Sequence, residues 1–374
     1  MVEPKRKSPH KKNTTFLSIA AWFYIVGIVS VFIIIRNLGD DWWIGTLMLF
    51  GPRWIFAAPL CILVPLSLVL NRRLLLPLFA AALFIFGPIM GFSLPIRSLF
   101  VNRSLSPDVR VLSYNVGQGT FNPSDLKILL EEVQPDITAM QECKLSTEEL
   151  TTLFPKRYLH AEKGMCLISV FPIKNVASRD PMDIEKLGGS GTMVRYTLES
   201  SKGQISVVNV HLETPREGIE SILDKLRSTI GEIRRSIFSD NRPIRKDQDQ
   251  IMAEEGVSES VDIIDFEIFL RNLESKKARE WVDQTPAPFI VTGDFNLPMD
   301  SVIYQRYWSK LDDAFSVAGF GWGATKYTDW FGLRIDHILT SGGWEYQRAW
   351  IGPHLTGTDH RPIIADMRWI GRKD

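Results

Sequence analysis

Phe289-Ile290-Val291-Thr292-Gly293-Asp294-Phe295-Asn296 is the stretch on which the reading of this chain turns. Three apolar β-formers lead into a glycine, and an acid and an amide follow, two residues apart. An apolar run bounded by turn residues predicts a buried strand. Side chains two apart on extended backbone point the same way. Asp294 and Asn296 are therefore placed to address one ligand beyond the strand end. A strand closed by an Asx-turn has the same pattern, so the rest of the chain must arbitrate.

Working outward, the same design recurs. Residues 109–117 predict a strand ending in Asn115, and residues 136–142 a second one ending in Glu142. Between them, residues 124–132 predict a helix with Asn122 or Ser124 as its cap and Leu126, Ile128, Leu129 and Val133 on its apolar face. Residues 165–170 predict a further strand. Residues 192–198 and 204–210 predict a hairpin turning at Ser201-Lys202-Gly203, with His211 where the second strand leaves the core. A lone histidine there suits a structural role as well as a chemical one. Residues 304–315 predict a helix and turn, residues 333–340 a strand carrying Asp336, and residues 358–367 the last strand, introduced by Asp359 and His360. Strands interleaved with helices imply α and β in one domain.

Asn115, Glu142, His211, Asp294, Asn296, Asp336, Asp359 and His360 all fall at strand ends or just after them. Carboxylates, amides and imidazoles converging from six separate segments are what phosphoester hydrolysis requires. Carboxylate oxygens hold a hard divalent cation, a base takes a proton from water, and donors steady the non-bridging oxygens as charge builds.

The ordered motifs S-Y-N, Q-E, N-V-H-L, G-D-F-N, R-I-D-H-I and T-D-H-R-P resemble those of the endonuclease/exonuclease/phosphatase superfamily, over about residues 108–370. The resemblance implies a four-layer α/β (α+β) sandwich, two mixed β-sheets flanked by helices. It also implies an Mg²⁺- or Mn²⁺-dependent hydrolase that uses in-line attack of an activated water. In that scheme Glu142 is the main metal ligand, with Asn115 and Asp359 close to the metal. His360 is the base or the phosphate-side partner, oriented by Asp336. Asp294 positions or activates the water, and Asn296 and His211 hold phosphate oxygens. Three departures stand out: Thr358 where serine is usual, Val170 where many relatives carry Arg or Lys, and a long helical insertion at about 215–284. Within the insertion, Ile219, Ile222, Leu223, Leu226 and Ile230 recur at helical spacing beside Lys225, Arg227, Arg234 and Arg235.

The first hundred residues are of another kind. Residues 16–35, 54–70 and 74–94 are three apolar runs long enough to cross a hydrocarbon core, and their prolines are tolerated in membrane helices. A cleaved leader would explain only the first. Basic residues 5–12 predict a cytoplasmic tail at 1–15. Asp40 and Asp41 then fall outside, Arg72 and Arg73 inside, and a linker at 98–107 leads to an extracytoplasmic catalytic domain at 108–370. Arg53, on the outer side, runs against this pattern. The segment 42–50 suits an interfacial helix.

Residues 104–374 hold 32 Lys/Arg and 40 Asp/Glu, a net charge of −8. That balance disfavours general nucleic-acid binding, which depends on neutralising phosphates. Of the three cysteines, Cys143 and Cys166 could pair, but buried free thiols are the favoured expectation, and no zinc spacing is present. The expected protein is a multi-pass, membrane-anchored phosphodiesterase or phosphatase acting outside the cytoplasm on a lipid headgroup, small phosphodiester or nucleic acid, with no protein partner. A periplasmic endonuclease or exonuclease is the second reading, and a catalytically inactive binding module the third.

Overall fold

The computed structural model describes residues 9–101, 106–117, 121–179, 191–214 and 263–371. Strand β8 (Phe289–Asp294) is buried along its whole length. Its parallel neighbour is β7 (Gly203–His211) and its antiparallel neighbour β12 (Asp336–Thr340). Gly293 is obligatory at this junction: its φ is +146°, and a Cβ there would stand 1.9 Å from the carbonyl oxygen of Val210. The sheet runs β5 (Ile173–Arg179), β6 (Thr192–Ser200), β7, β8, β12, β9 (Asp312–Asp313).

A second sheet runs β13 (Trp344–Ile351), β14 (Ile363–Trp369), β1 (Val109–Asn115), β2 (Ile137–Gln141), β4 (Met165–Ser169), β3 (Tyr158–Glu162). Here β1 and β2 are the parallel pair. Alternate residues of each strand serve different layers. Val111, Ile137 and Leu167 meet Tyr196, Val207 and Ile290 between the sheets. On the outer face of the second sheet, Leu112, Tyr114 and Met140 pack against Leu126, Leu129 and Leu130 of α5 (Pro123–Val133) and Leu150 of α6 (Thr147–Leu153). On the other outer face, Val208, Val210 and Val291 pack against Ala278 and Val282 of α7 (Ile263–Asp283) and Ile303 and Tyr304 of α8 (Val302–Tyr307). The four-layer sandwich of two mixed sheets is the expected fold.

Several boundaries differ from expectation, each for a local reason. Asn122 caps α5 by accepting from Ser124 N at 3.0 Å. The expected strand at 333–340 is divided. Gly332–Leu333 (β11) pairs with Lys326–Tyr327 (β10) in a separate hairpin, and Arg334 turns its guanidinium over the Phe315 ring at 4.9 Å. The chain then enters β12 at Asp336. Of the helix and turn expected over 304–315, the helix ends at Tyr307 and a turn follows; Asp313 then pairs in β9 and caps a short helix α9 (Ala314–Ala318) through Ser316 N at 2.7 Å. Of the insertion at 215–284, α7 is described; residues 215–262, with the helix expected around Ile219 and its basic residues, lie outside the described residues.

Cys143 and Cys166 are joined in a disulfide, so the expectation of free thiols is corrected. The turn between β3 and β4 brings Gly164 O to Cys143 N at 2.8 Å and so lays the two cysteines side by side.

Ahead of the sandwich stand α1 (Pro9–Leu38), α2 (Trp43–Phe50), α3 (Leu60–Leu70) and α4 (Leu75–Phe84), the last continued by a π turn around Pro88. Three helical stretches, Thr14–Leu38, Arg53–Leu70 and Arg72–Ile89, are long and apolar enough to cross a membrane. They run up, down and up. Asn71 meets Ser18 near the start of the first at 3.3 Å, and the loop after α1 lies at the opposite end, against the sandwich.

That contact is made by charged groups. Asp40 is fully buried: its Oδ2 accepts from Ser301 Oγ at 2.5 Å and Ile303 N at 3.1 Å, and its Oδ1 faces Arg271 Nη1 at 3.5 Å. Arg53 pairs with Asp300 and donates to the carbonyls of Leu49 and Ile89. The position of Arg53 that ran against the loop-charge pattern is thus explained by a partner in the sandwich.

Candidate active site

The two parallel strand pairs put four carboxyl-terminal ends on one edge of the molecule. Asn115 stands level with Gln141 across β1 and β2, and His211 level with Asp294 across β7 and β8. Because β12 is antiparallel to β8, its first residue, Asp336, stands beside Asp294. Two buried amides tie the sheets together just below: Gln141 Nε2 donates to Asn209 Oδ1 at 2.6 Å, and Asn209 Nδ2 donates to Met140 O at 3.0 Å. These are the Q of Q-E and the N of N-V-H-L, whose purpose the sequence left unassigned.

Above this tie Asn115 bridges the sheets. Its Nδ2 donates to Glu142 Oε1 at 3.0 Å and Asp294 Oδ2 at 2.9 Å, while its Oδ1 accepts from Gly117 N at 3.0 Å. Glu142 lies one residue beyond β2 with φ +54°, a sparsely populated conformation for a residue with a side chain, of the kind that gathers at functional sites. His211 Nε2 stands 3.6 Å from Glu142 Oε1. Asp336 Oδ2 meets His360 Nδ1 at 2.9 Å, and His360 Nε2 stands 3.7 Å from Asp294 Oδ2. Thr358 keeps the role a hydroxyl can play: it donates to Asn115 O and accepts from His360 N, both at 3.1 Å.

Two expected residues line the cleft and also make contacts that the sequence did not show. Asn296, also at positive φ (+51°), closes an Asx-turn on Asp294 Oδ1 through its own N–H at 2.9 Å, and its Nδ2 donates to Leu212 O at 2.8 Å. Asn296 therefore lines the cleft while also clamping the chain that carries His211. The Asp359 carboxylate is half exposed and paired with Lys326 Nζ at 2.6 Å. Lys326 also reaches His360 Nε2 at 3.1 Å. Sequence reasoning missed this lysine because β10 is two residues long and carries no strand pattern.

The cleft holds about 780 Å³, and its lining includes Glu142, His211, Asp294, Asn296, Lys326, Asp359 and His360, together with Thr328, Asp329 and His354. Burial, and then the neighbouring Asp336, raise the Asp294 pKa above the ordinary carboxylate range. Burial alone would depress the His360 pKa, but the charges of Asp336 and Asp294 outweigh it and push it up to about 9. For Asp359, burial is outweighed by Lys326, and the pKa falls. Ligand atoms of Asp294, Asp336 and His360 lie within 4.8 Å of one another, and Asp336 Oδ1 is buried with no hydrogen-bond partner. With Glu142 at the mouth, this crowd of oxygen donors fits a hard divalent cation.

The family model described as Endonuclease/Exonuclease/phosphatase family matches residues 112–360, about two thirds of the chain. The chain belongs to this family. Its members hydrolyse phosphoester bonds and generally use divalent metal ions. The chain is similar to exodeoxyribonuclease III of Haemophilus influenzae, 23% identical over 290 residues that span 70% of this chain and all of that protein. Among solved structures, an endonuclease/exonuclease/phosphatase protein from Beutenbergia cavernae is 13% identical over 71% of this chain and 72% of its own, with a TM-score of 0.47. A Neisseria 3' phosphatase bound to a product DNA hairpin is 15% identical over 70% of this chain and all of its own, with a TM-score of 0.46.

Proposed function

We propose that this phosphoester hydrolase is metal-dependent, anchored by its three apolar helices, and acts outside the cytoplasm on a lipid headgroup or small phosphoester. The observation that carries the reading is the cleft: Glu142, Asp294, Asp336, His211 and His360 share one edge of two sheets joined by Asn115. Mg²⁺ or Mn²⁺ held at Glu142 would neutralise charge on the phosphate and on the leaving oxygen.

The chain's own groups divide the remaining work. His360, its pKa raised by the charges of Asp336 and Asp294, is the group that holds a phosphate oxygen. His211 and Lys326 face the same space as further donors. Asp294, a stronger base than an ordinary carboxylate, takes the proton from the attacking water. Asp336 holds the His360 ring through Nδ1. Asn115 and Asn296 position the groups around them.

Residues 5–12 and Arg72–Arg73 support a cytoplasmic amino terminus. The loop after α1 and the sandwich share one side, as an odd number of crossings requires. The Cys143–Cys166 disulfide supports an oxidising compartment. Similarity to exodeoxyribonuclease III favours a nuclease as the second reading.

The test is the purified full chain in detergent with Mg²⁺ or Mn²⁺, offered phospholipid vesicles, bis-p-nitrophenyl phosphate, RNA and plasmid DNA. Cleavage of the ester and lipid substrates, abolished by chelator, is expected; cleavage of DNA or RNA alone would select the second reading. A reporter phosphatase active only in oxidising compartments, fused after Asp374, is expected to be active, and silence there would reverse the topology.

A further inference from the structure

A second cavity, of about 350 Å³, opens where the membrane helices meet the sandwich. Its walls come from two sources. Trp54 and Met90 stand at the ends of the second and third apolar stretches, while Met299, Trp322 and Phe331 come from loops of the sandwich. Tyr327 belongs to both this cavity and the catalytic cleft. On the loop that follows it, Thr328 and Asp329 line the cleft and Phe331 lines the cavity. Met299 lies three residues past Asn296. The two spaces therefore adjoin at Tyr327.

The cavity lining is mostly apolar but also holds the Arg53–Asp300 ion pair and Arg334. Exposed aromatic residues cluster beside its Trp322 wall. Phe320, Trp322 and Trp330 are 70%, 46% and 79% exposed, and Phe92, just past the third stretch, packs edge-on against Phe320 and Trp322. Aromatic residues at helix ends sit at the membrane–water boundary. A cavity of this size lies in the range of roughly 300–1,000 Å³ typical of small-molecule sites, which suits part of one lipid and not a macromolecule.

Resting on the hydrolase reading above, we infer that the substrate is a membrane phospholipid whose apolar part enters this cavity from the bilayer while its phosphoester passes Tyr327 into the cleft. Water's oxygen then forms a bond to phosphorus, the P–O bond to the leaving alcohol breaks, and the proton taken from water is returned to that alcohol. The occupant is argued from continuity: helix ends contribute Trp54 and Met90 to the cavity, and Tyr327 is shared with the catalytic cleft.

The experiment uses the full chain in vesicles of phosphatidylethanolamine and phosphatidylglycerol carrying a tail-diazirine phosphatidylglycerol, with Mg²⁺ or Mn²⁺. Photocrosslinks are expected on peptides containing Met90 or Trp322, and Ala324→Phe, which fills the cavity, should reduce them. The same variant should slow phospholipid turnover about tenfold or more while leaving bis-p-nitrophenyl phosphate turnover within about twofold. Met90→Trp fills the cavity from the membrane side and serves if Ala324→Phe does not fold. Crosslinks confined to the outer faces of the helices, or unchanged by either variant, overturn the inference. Cleavage of the soluble ester with none of the phospholipid also overturns it and leaves the hydrolase reading intact. Cavity crosslinks with neither substrate cleaved sustain the lipid site and reject the hydrolase reading.

Discussion

Replacing Arg271 by methionine tests whether the sandwich is held to the apolar amino-terminal helices by a buried ion pair. Asp40 is 0% and Arg271 3% exposed, and their charged atoms stand 3.5 Å apart. Arg271→Met strands the Asp40 carboxylate, and uncoupling a buried pair this way costs about 3–5 kcal/mol. The donors Ser301 Oγ and Ile303 N remain and keep the figure at the lower end. The variant also removes the donor from Arg271 Nη2 to Asn296 O at 2.9 Å and the cation over the Phe50 ring at 5.2 Å. A net loss of about 3 kcal/mol should lower Tm by roughly 6–12 °C for a unit of this size. Adding Asp40→Asn removes the stranded charge and keeps an acceptor for Ser301 and Ile303, so the double variant should melt above the single one. Tm in detergent, followed by tryptophan fluorescence, measures both. A double variant no more stable than Arg271→Met would refute the reasoning, because the cost would then not come from an unpaired carboxylate.

Glu142→Gln should abolish phosphodiester cleavage and weaken Mg²⁺ binding by calorimetry, with Tm unchanged; lost activity at full metal affinity would remove Glu142 from the metal role. Glu274 is buried, its Oε2 accepting from Glu213 N at 2.7 Å, and burial raises its pKa to about 8. An acid whose pKa rises on folding keeps its proton while the unfolded chain releases it. Stability is therefore lost as pH climbs from about 4.5 to 8, by up to about 5 kcal/mol. Glu274→Gln should then gain on the parent steadily over that window in denaturant titrations, and a gap independent of pH would contradict this. Reduction of Cys143–Cys166, or serine at both positions, should cost about 3 kcal/mol for a loop of this length and lower activity, since Cys143 follows Glu142 directly. An unaltered Tm on reduction would count against the bond's contribution.

The strands bearing chemistry were legible because each is an apolar run ending in a polar residue, and that pattern is local. What escaped was set by partners far along the chain. β13 alternates poorly, because a bulge at Gln347 buries two successive side chains, and its pairing with β14 could not be read from its own residues. The disulfide depends on the turn at Gly164, and a separation of 23 residues does not announce it. Asp40 and Arg53 read as loop charges because Arg271 and Asp300 lie more than two hundred positions away. Asn296 was legible both as a site residue and as an Asx-turn, and the structure has it line the cleft and close the turn on Asp294.

The reacting groups do not belong to one sheet. Asn115 and Glu142 come from one and His211, Asp294 and Asp336 from the other, so the cleft straddles a seam whose width is set by Gln141 and Asn209. Any sliding of one sheet over the other changes the spacing between the groups before it exposes a single core residue. In this architecture the enzyme's turnover is a finer gauge of how the two sheets are seated than its melting temperature, and inhibition from a distance needs only to shift that seating.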